Sequence, residues 1–478
     1  MNFKKTACFL SVATLAPSYL SGADKSKEHY NVLFIMADDM RPEMGCYGID
    51  NIQTPNLDKL AATGNQFMNA YCNVPVSGAS RASLLTGVYP KFPQRFTSYN
   101  SSASIDAPFA VPISEWFTEN GYYTVSNGKV FHNIQDHAST WSEYPWRVHR
   151  EGYGADWAEY NKWELWMSDV SGRTINPKTM RGPFFEAADV ADDAYADGKL
   201  ALRTIADLER LGQRDEPFFL ACGFWRPHLP FNAPKKYWDL YERAEIALAG
   251  NQKRPPSLPK EVTGSQEIFS YAGVKSTADE DFQRLAKHGY YACISYIDAQ
   301  VGLLLDALDE LGLADNTIVV FLGDHGWHLG ENSFWGKHNL LKRSTHVPLL
   351  IRVPGSEPRR VKDVVEFVDL YPTLCEICGI KTPPKQLDGK VMNAFIESKS
   401  KVDVRNKAYI QWQGGTNVVD KQFSYSEWSK PNGTTSSMLF DHAIDEEETT
   451  NRTDDKTYTK IKNRLSYKLS EFIKLINR

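Results

Sequence analysis

Three runs in this chain are apolar at nearly every position: Asn31-Val32-Leu33-Phe34-Ile35-Met36-Ala37, Pro217-Phe218-Phe219-Leu220-Ala221-Cys222-Gly223 and Thr317-Ile318-Val319-Val320-Phe321-Leu322. A strand with one wet face alternates polar and apolar residues, so such runs read as strands covered on both faces, as in a parallel sheet between helices. The segments between them agree with an α/β fold. Thr54-Pro55 opens a helix carrying Leu57, Leu60 and Ala61 on one face, with Gly64 at its end. Residues 66–72, 122–126 and 347–353 read as further strands, and 112–120 and 187–211 as helices. Residues 279–311 form a long helix, with Ile294, Ile297, Val301, Leu304, Leu305, Leu308 and Leu311 at helical spacing. A helix after Asp369 closes the main sheet.

At 478 residues the chain exceeds an average domain, and its character changes near residue 395. We expect a large domain over 23–395 and a C-terminal α+β subdomain over 396–478. In the latter, 407–413, 424–429 and 436–442 read as antiparallel strands under a final helix lined by Ile461, Leu465, Leu469, Phe472 and Ile476. The acidic run Asp445-Glu446-Glu447-Glu448 is expected to be solvated turn material. Between 133 and 185 the regular pattern fades while Trp141, Trp146, Trp157, Trp163 and Trp166 accumulate. This long insertion either rims a cleft, where aromatic faces stack on sugars, or simply packs.

Residues 1–22 place Lys4 and Lys5 before an apolar run and end near Ser21-Gly22-Ala23, the pattern of a secretory signal. An exported, periplasmic or secreted, protein is expected. No later stretch approaches a membrane-spanning length, and a net charge of −5 suggests no nucleic-acid partner. Six cysteines follow the leader without the density of a disulfide scaffold. Cys72 reads as a buried thiol, and Cys375 and Cys378 as core positions of an amphipathic helix rather than a redox or metal pair.

Ligands of open α/β sheets bind beyond the carboxyl ends of strands, and there the polar residues of this chain collect. The first run ends in Asp38-Asp39, two carboxylates that repel each other; a shared hard cation and a solvated turn both account for them. Strand 122–126 leads to Lys129 and His132. The second run leads to Trp225-Arg226-Pro227-His228-Leu229-Pro230, where flanking prolines fix the backbone around His228, and the third to Asp324-His325. Lys337 follows in a glycine-containing loop with His328, Glu331 and His338. Residues 77–83, small and polar, read as a loop entering a short helix capped by Gly87. Its start is either an anion site where Arg81 grips an oxyanion or an ordinary serine cap with a surface arginine.

Ser77-Gly78-Ala79-Ser80-Arg81, followed by Ala82-Ser83-Leu84-Leu85-Thr86-Gly87, resembles the C/S-x-P/A-x-R signature of type I sulfatases, whose first residue is oxidised to formylglycine. Gly128-Lys129-Val130-Phe131-His132, Arg226-Pro227-His228-Leu229-Pro230-Phe231 and Gly323-Asp324-His325-Gly326-Trp327 with Leu329-Gly330-Glu331 are similar, in order and context, to segments of the family's uronate 2-O-sulfatases, with Ser77 in place of their cysteine. The resemblance implies an alkaline-phosphatase-like α/β/α sandwich with a large mixed central sheet. It implies one divalent cation, Ca²⁺ with Mg²⁺ as the alternative, held by Asp38, Asp39, Asp324, His325 and the modified Ser77. An oxygen-independent radical maturating enzyme, as in anaerobic bacteria, would oxidise Ser77 before export. In the implied chemistry Arg81, Lys129 and Lys337 neutralise sulfate oxygens. His132 serves as base and His228, ahead of Lys337, as proton donor, with Trp225 and Arg226 near the sugar. The expected substrate is a terminal 2-O-sulfated hexuronate of a glycosaminoglycan fragment. Alternatives are 6-O- or 4-O-sulfated hexosamine, an algal polysaccharide, a phosphate ester, or glycan binding without catalysis.

Overall fold

The computed structural model describes residues 29–148, 174–274, 276–383, 387–392, 406–429 and 435–477. The leader, Trp157, Trp163 and Trp166 lie outside them. Eight strands form the central sheet: β1 (Asn31–Asp38), β2 (Asn65–Tyr71), β3 (Tyr123–Gly128), β4 (Phe218–Pro227), β5 (Thr317–Gly323), β6 (His346–Val347), β7 (Leu349–Arg352) and β8 (Arg359–Glu366). Their order is β6-β2-β7-β5-β1-β4-β3, with β8 also paired to β2. β1, β3, β4 and β5 run parallel as neighbours, whereas β7 is antiparallel to β5 and β2, so the sheet is mixed.

The uninterrupted apolar runs are resolved by the two-residue period of a strand. Val32, Phe34 and Met36 of β1 enter one core, Leu33, Ile35 and Ala37 the other. The first core is covered by α2 (Ser77–Thr86), α3 (Ile113–Glu119) and α6 (Leu370–Ile377), the second by α1 (Pro55–Ala62), α4 (Ala196–Leu211) and α5 (Glu280–Glu310). Each of the large β1 side chains is at most 1% exposed and contributes about 1.5–3 kcal/mol of burial. Among the described residues α5 alone is long and apolar enough to cross a membrane, yet 83% of its apolar stretch is buried, as a core helix requires.

β9 (Ala408–Trp412), β10 (Gly415–Val419), β11 (Phe423–Ser429) and β12 (Thr435–Asp441) form an antiparallel sheet in sequence order. α7 (Thr459–Ile476) covers it with Leu465, Leu469 and Phe472.

Several expectations are corrected. β8 escaped notice because its first half, Arg359-Arg360-Val361-Lys362, is a charged edge, and only Val364 to Glu366 are buried. β10 was hidden by Gly415-Thr416-Asn417; the preceding Gln413 and Gly414 turn the hairpin at φ 44° and 76°. Pro348 divides the expected 347–353 strand, since it has no N–H to donate. α4 starts at Ala196, nine residues later than expected, behind a 3₁₀ turn over Asp192–Ala194. Residues 77–83 are helix, not loop, and every residue of α2 is buried. Trp141 packs in the core against Phe219, so it rims nothing. The acidic run is not simply solvated. Glu448 is 2% exposed and accepts from Lys342 N (2.6 Å) and from His442 Nε2 (2.9 Å), while Glu446 and Glu447 pair with Lys342 and Arg343. It fastens the small sheet to the large domain.

Candidate active site

β1 and β5 are parallel neighbours with Ala37 opposite Gly323, so Asp38-Asp39 and Asp324-His325 emerge side by side. Asp324 N donates to Ala37 O (3.0 Å), and the chain then turns at Asp39, whose φ of 64° is left-handed. That conformation costs about 1–2 kcal/mol in a non-glycine residue. Asp39 N donating to Asp324 Oδ1 (3.0 Å) and Tyr290 of α5 donating to Asp39 O (2.7 Å) hold it in place. The result is a set of ligand atoms from Asp38, Asp39, Asp324 and His325 all within 4.8 Å of one another.

α2 points its first residue at this set. Ser77 Oγ donates to Asp38 Oδ1 (2.8 Å) and lies 2.9 Å from His325 Nε2. Residue 78 must be glycine, because a Cβ there would overlap the Tyr99 carbonyl, with Tyr99 C only 2.8 Å away. One turn on, Ser80 Oγ donates to Asp324 O (2.6 Å) and Arg81 Nε to Asp324 Oδ2 (2.8 Å), with Arg81 Nη2 3.5 Å from Asp38 Oδ1. Lys129 follows directly after β3, where Lys129 N donates to Gly223 O (2.7 Å) and Lys129 Nζ pairs with Asp38 Oδ2. Lys337 Nζ reaches Asp39 Oδ1 at 2.6 Å. Arg81 and Lys129 are fully buried among carboxylates and the carbonyls of Lys129 and Val130, so in this structure they brace the acids from beneath and do not line the cavity.

Burial alone would raise all three carboxyl pKa values. For Asp38 the cations Lys129 and Arg81 outweigh it and hold the group well below the usual range. Burial wins at Asp39, helped by Asp38 and Glu267 against Lys337, and the group is pushed well up. Burial likewise lifts Asp324 to about 6 despite Arg81. Asp39 Oδ2 is fully buried and takes no hydrogen bond, with His228 Nε2 3.8 Å away. His325 turns Nδ1 to Gly326 O (3.1 Å), which leaves Nε2 to the acids. Three buried carboxylates converging within 4.8 Å, one oxygen of which takes no hydrogen bond, together with one imidazole nitrogen suit a divalent cation.

A cavity of about 310 Å³ opens over this set, and Ser77, His132, Trp225, Arg226, His228 and Lys337 all line it. Burial, together with Lys129 and Arg81, holds His132 well below the ordinary imidazole value, so the ring is neutral. His228 turns Nδ1 to Leu229 O (2.6 Å) and sets Nε2 3.4 Å from Glu267 Oε1. Burial drives its pKa to about 3, well below the ordinary imidazole range. Glu267, Arg181 and Tyr271 were missed. Glu267 is half-buried, its side chain 16% exposed, and although desolvation would raise it, its polar surroundings, Lys337 and Arg181 among them, keep it well below the usual carboxylate range. It precedes no strand and belongs to no motif; only the fold brings it here.

The sulfatase family model matches residues 30–380. The chain belongs to the sulfatase family. A second family model, N-sulphoglucosamine sulphohydrolase C-terminal, matches residues 330–474. This sulfatase is 33% identical to human iduronate 2-sulfatase over 427 residues, 79% of the chain and 74% of that protein. It is 30% identical to an arylsulfatase of Clostridium perfringens over 412 residues, 77% and 79% of the two. In fold it is similar to a phosphonate monoester hydrolase of Agrobacterium radiobacter (TM-score 0.74, 24% identity, 94% and 96% covered) and to a 2-O GAG sulfatase (TM-score 0.68, 21%, 94% and 93%). It is a sulfuric ester hydrolase of the alkaline-phosphatase-like α/β/α fold. The structure gathers Asp38, Asp39, Ser77, Arg81, Lys129, Asp324, His325 and Lys337 into one buried cluster, with His132, His228, Trp225 and Arg226 around its opening.

Proposed function

We propose that this sulfatase hydrolyses sulfate monoesters of carbohydrates, in particular the 2-O-sulfate of a terminal hexuronate in glycosaminoglycan fragments, through Ser77 converted to formylglycine. The observation that carries the reading is the placement of Ser77 Oγ, 2.8 Å from Asp38 and 2.9 Å from His325, where Ser77 lines the cavity. A serine hydroxyl is a weak nucleophile at neutral pH; the hydrated aldehyde supplies one hydroxyl to attack sulfur and a second whose deprotonation expels sulfate. Asp38, Asp39, Asp324 and His325 would hold Ca²⁺, or Mg²⁺, which neutralises sulfate oxygens when bound.

The chain's own residues do the rest. Lys337, kept protonated by Asp39 and Glu267 against its burial, faces the ester with a fixed positive charge. His132, neutral at its edge-on contact with Tyr99 (5.0 Å), takes the proton of the second hydroxyl. His228 carries a proton to the leaving alkoxide once the negative ester, beside Glu267, favours its protonated form; Lys337 is the other donor within the cavity. Arg81 and Lys129 keep the acids in place. Identity to iduronate 2-sulfatase and the basic cavity wall support the hexuronate. Likeness to an ulvan-active sulfatase of Formosa agariphila, 28% identical over 98% of the chain, favours an algal polysaccharide as second reading. We further propose that residues 1–22 direct export and that a radical maturase acts on Ser77 beforehand.

The test is turnover of a 2-sulfated unsaturated uronosyl disaccharide against 6-sulfated hexosamine, with and without chelator. Release of sulfate from the hexosamine alone refutes the hexuronate assignment.

A further inference from the structure

We propose that Glu267 is a substrate-binding residue of this sulfatase, its Oε2 accepting a hydrogen bond from the free hydroxyl on the carbon next to the sulfated one, so that the enzyme selects esters whose neighbouring hydroxyl is unsubstituted. This rests on reading the cavity as the site of a terminal 2-O-sulfated hexuronate and adds the group that holds the next position of its ring. The starting point is a carboxylate in an unfavourable place. A pocket that admits a sulfate ester is opposed by further negative charge on its wall. Glu267 nevertheless lines the cavity, its side chain 16% exposed, beside Lys337 and His228. Such a group needs a use that offsets the repulsion.

Bracing its cationic neighbours is the plainer role, and the geometry gives that role to other groups. Lys337 Nζ reaches Asp39 Oδ1 at 2.6 Å but Glu267 Oε2 only at 3.7 Å. His228 fixes its ring through Nδ1 to Leu229 O (2.6 Å), while its Nε2 stands 3.4 Å from Glu267 Oε1. The hydrogen bond that the Glu267 carboxylate does take comes from Arg181 Nη1 to Oε1 (3.2 Å), which supplies a compensating charge. Among the described residues Oε2 therefore has no donor within hydrogen-bonding distance, and an ionised carboxylate oxygen can only accept. Its placement is built. Glu267 opens a 3₁₀ turn over Glu267–Ser270, where its N donates to Ser265 Oγ (3.1 Å) and its O accepts from Ser270 Oγ (2.5 Å). Ser265 N in turn donates to Lys337 O (2.8 Å), so this wall is tied to the segment that carries Lys337. Position then selects the hydroxyl. In the proposed reaction Lys337 and His228 face the ester, and a carboxylate 3.7 and 3.4 Å from them reaches the substituent of the adjoining carbon rather than the far side of the ring. Hydroxyls bind carboxylates through charge-assisted hydrogen bonds, stronger than those to neutral acceptors. A cavity of about 310 Å³ is at the small end for ligand sites, suited to one terminal sugar.

The experiment is sulfate release by the matured, Ca²⁺-loaded full-length enzyme from two compounds, a 2-O-sulfated unsaturated uronosyl disaccharide and its 3-deoxy analogue, which lacks the hydroxyl next to the ester. The wild type is expected to favour the hydroxylated compound by about ten- to a hundredfold in kcat/KM. Glu267→Ala lowers both rates, because Lys337 and His228 lose a neighbouring charge, and should bring the preference to within about threefold. Glu267→Gln, isosteric and able to keep the Arg181 bond, should retain an intermediate preference. The ratio is the readout because removal of a mere brace slows both compounds alike and leaves their ratio unchanged. Equal wild-type turnover of the two compounds, or a variant that folds and keeps the full wild-type preference, overturns the role of Glu267 but leaves the hexuronate reading standing. Turnover of neither compound overturns both readings. The wild-type comparison needs neither variant to fold.

Discussion

Gly223→Ala is the sharpest test of how the fold builds the site. Gly223 sits where β4 passes the end of β3, and a Cβ there would overlap Lys129 C and O and lie 2.7 Å from Val130 N. All three are backbone atoms in a buried sheet, so no side chain can swing aside. Overpacking of this kind costs about 1–3 kcal/mol, and losing the Lys129 N to Gly223 O bond (2.7 Å) adds about 1 kcal/mol. At roughly 2 cal/mol/K of unfolding entropy per residue, a chain of 478 residues loses about 1 °C of Tm per kcal/mol, so a fall of about 2–4 °C is expected. The functional loss should be larger. Forcing Lys129 outward draws its Nζ from Asp38, and a displacement near 1 Å can cost about a hundredfold in turnover. Gly312→Ala is the control. Its φ is 68° with nothing within 4 Å of the new Cβ, so it costs about 1 kcal/mol with activity unchanged. Scanning calorimetry and sulfate release on the two variants decide. A Gly223→Ala protein with wild-type turnover and a Tm within about 1 °C would refute the claim that this approach positions Lys129.

Chelator should lower Tm and Ca²⁺ at a hundred times its Kd should restore about 2.7 kcal/mol, or roughly 3 °C on the same conversion; Asp39→Asn should erase most of that gap by thermal melt. Ser77→Ala should fold, melt like wild type and release no sulfate, while mass spectrometry of matured wild type should find the Ser77 peptide lighter by two hydrogens. His328 is fully buried, which drives its pKa from 6.5 to about 4. The unfolded chain takes that proton below about pH 6.5 and the folded one refuses it until about 4, so stability is lost as pH falls through this window, by about 3 kcal/mol in all. His328→Gln should flatten that part of a urea-unfolding series from pH 7 to 4.5, and an unchanged slope would count against the assignment.

What the sequence made legible depended on where a residue stood relative to a buried strand. β1, β4 and β5 were readable because burial on both faces leaves no polar position to confuse the pattern, and Asp38, His228 and Asp324 were readable because they stand at those strand ends or directly beyond them. The similarity to family motifs then named Ser77, Lys129 and Lys337, whose spacing alone was equally consistent with surface groups. β8 and β10 were lost because an edge strand may be charged and a short strand may begin with glycine. Glu267 and Arg181 were lost for a different reason. Neither belongs to an amphipathic element, and they meet, 86 residues apart in the chain, only because the 182–183 and 272 backbones pair.

Asn73 ties the C-terminal sheet to the catalytic site, although among the described residues that sheet places no charge on the cavity wall. Asn73 lies between β2 and α2, in the short segment that delivers Ser77. Its Nδ2 donates to Glu366 Oε2 (2.9 Å) and Tyr409 O (2.8 Å), its Oδ1 accepts from Val368 N (3.1 Å), and its own carbonyl accepts from Gln411 N (2.9 Å). Glu366 also accepts from Tyr409 N (2.8 Å) and from the Tyr89 hydroxyl. One fully buried amide thus ties the entry to α2, the end of β8 and the first strand of the small sheet into a network in which each polar group is satisfied. Trp412, three residues beyond Tyr409, stacks on His338 of the cavity wall at 5.0 Å and 24°. Loss of the small sheet would therefore leave Asn73 and Glu366 buried with groups unpaired, at about 1–3 kcal/mol each. The strain would fall on the five residues that set the position of Ser77.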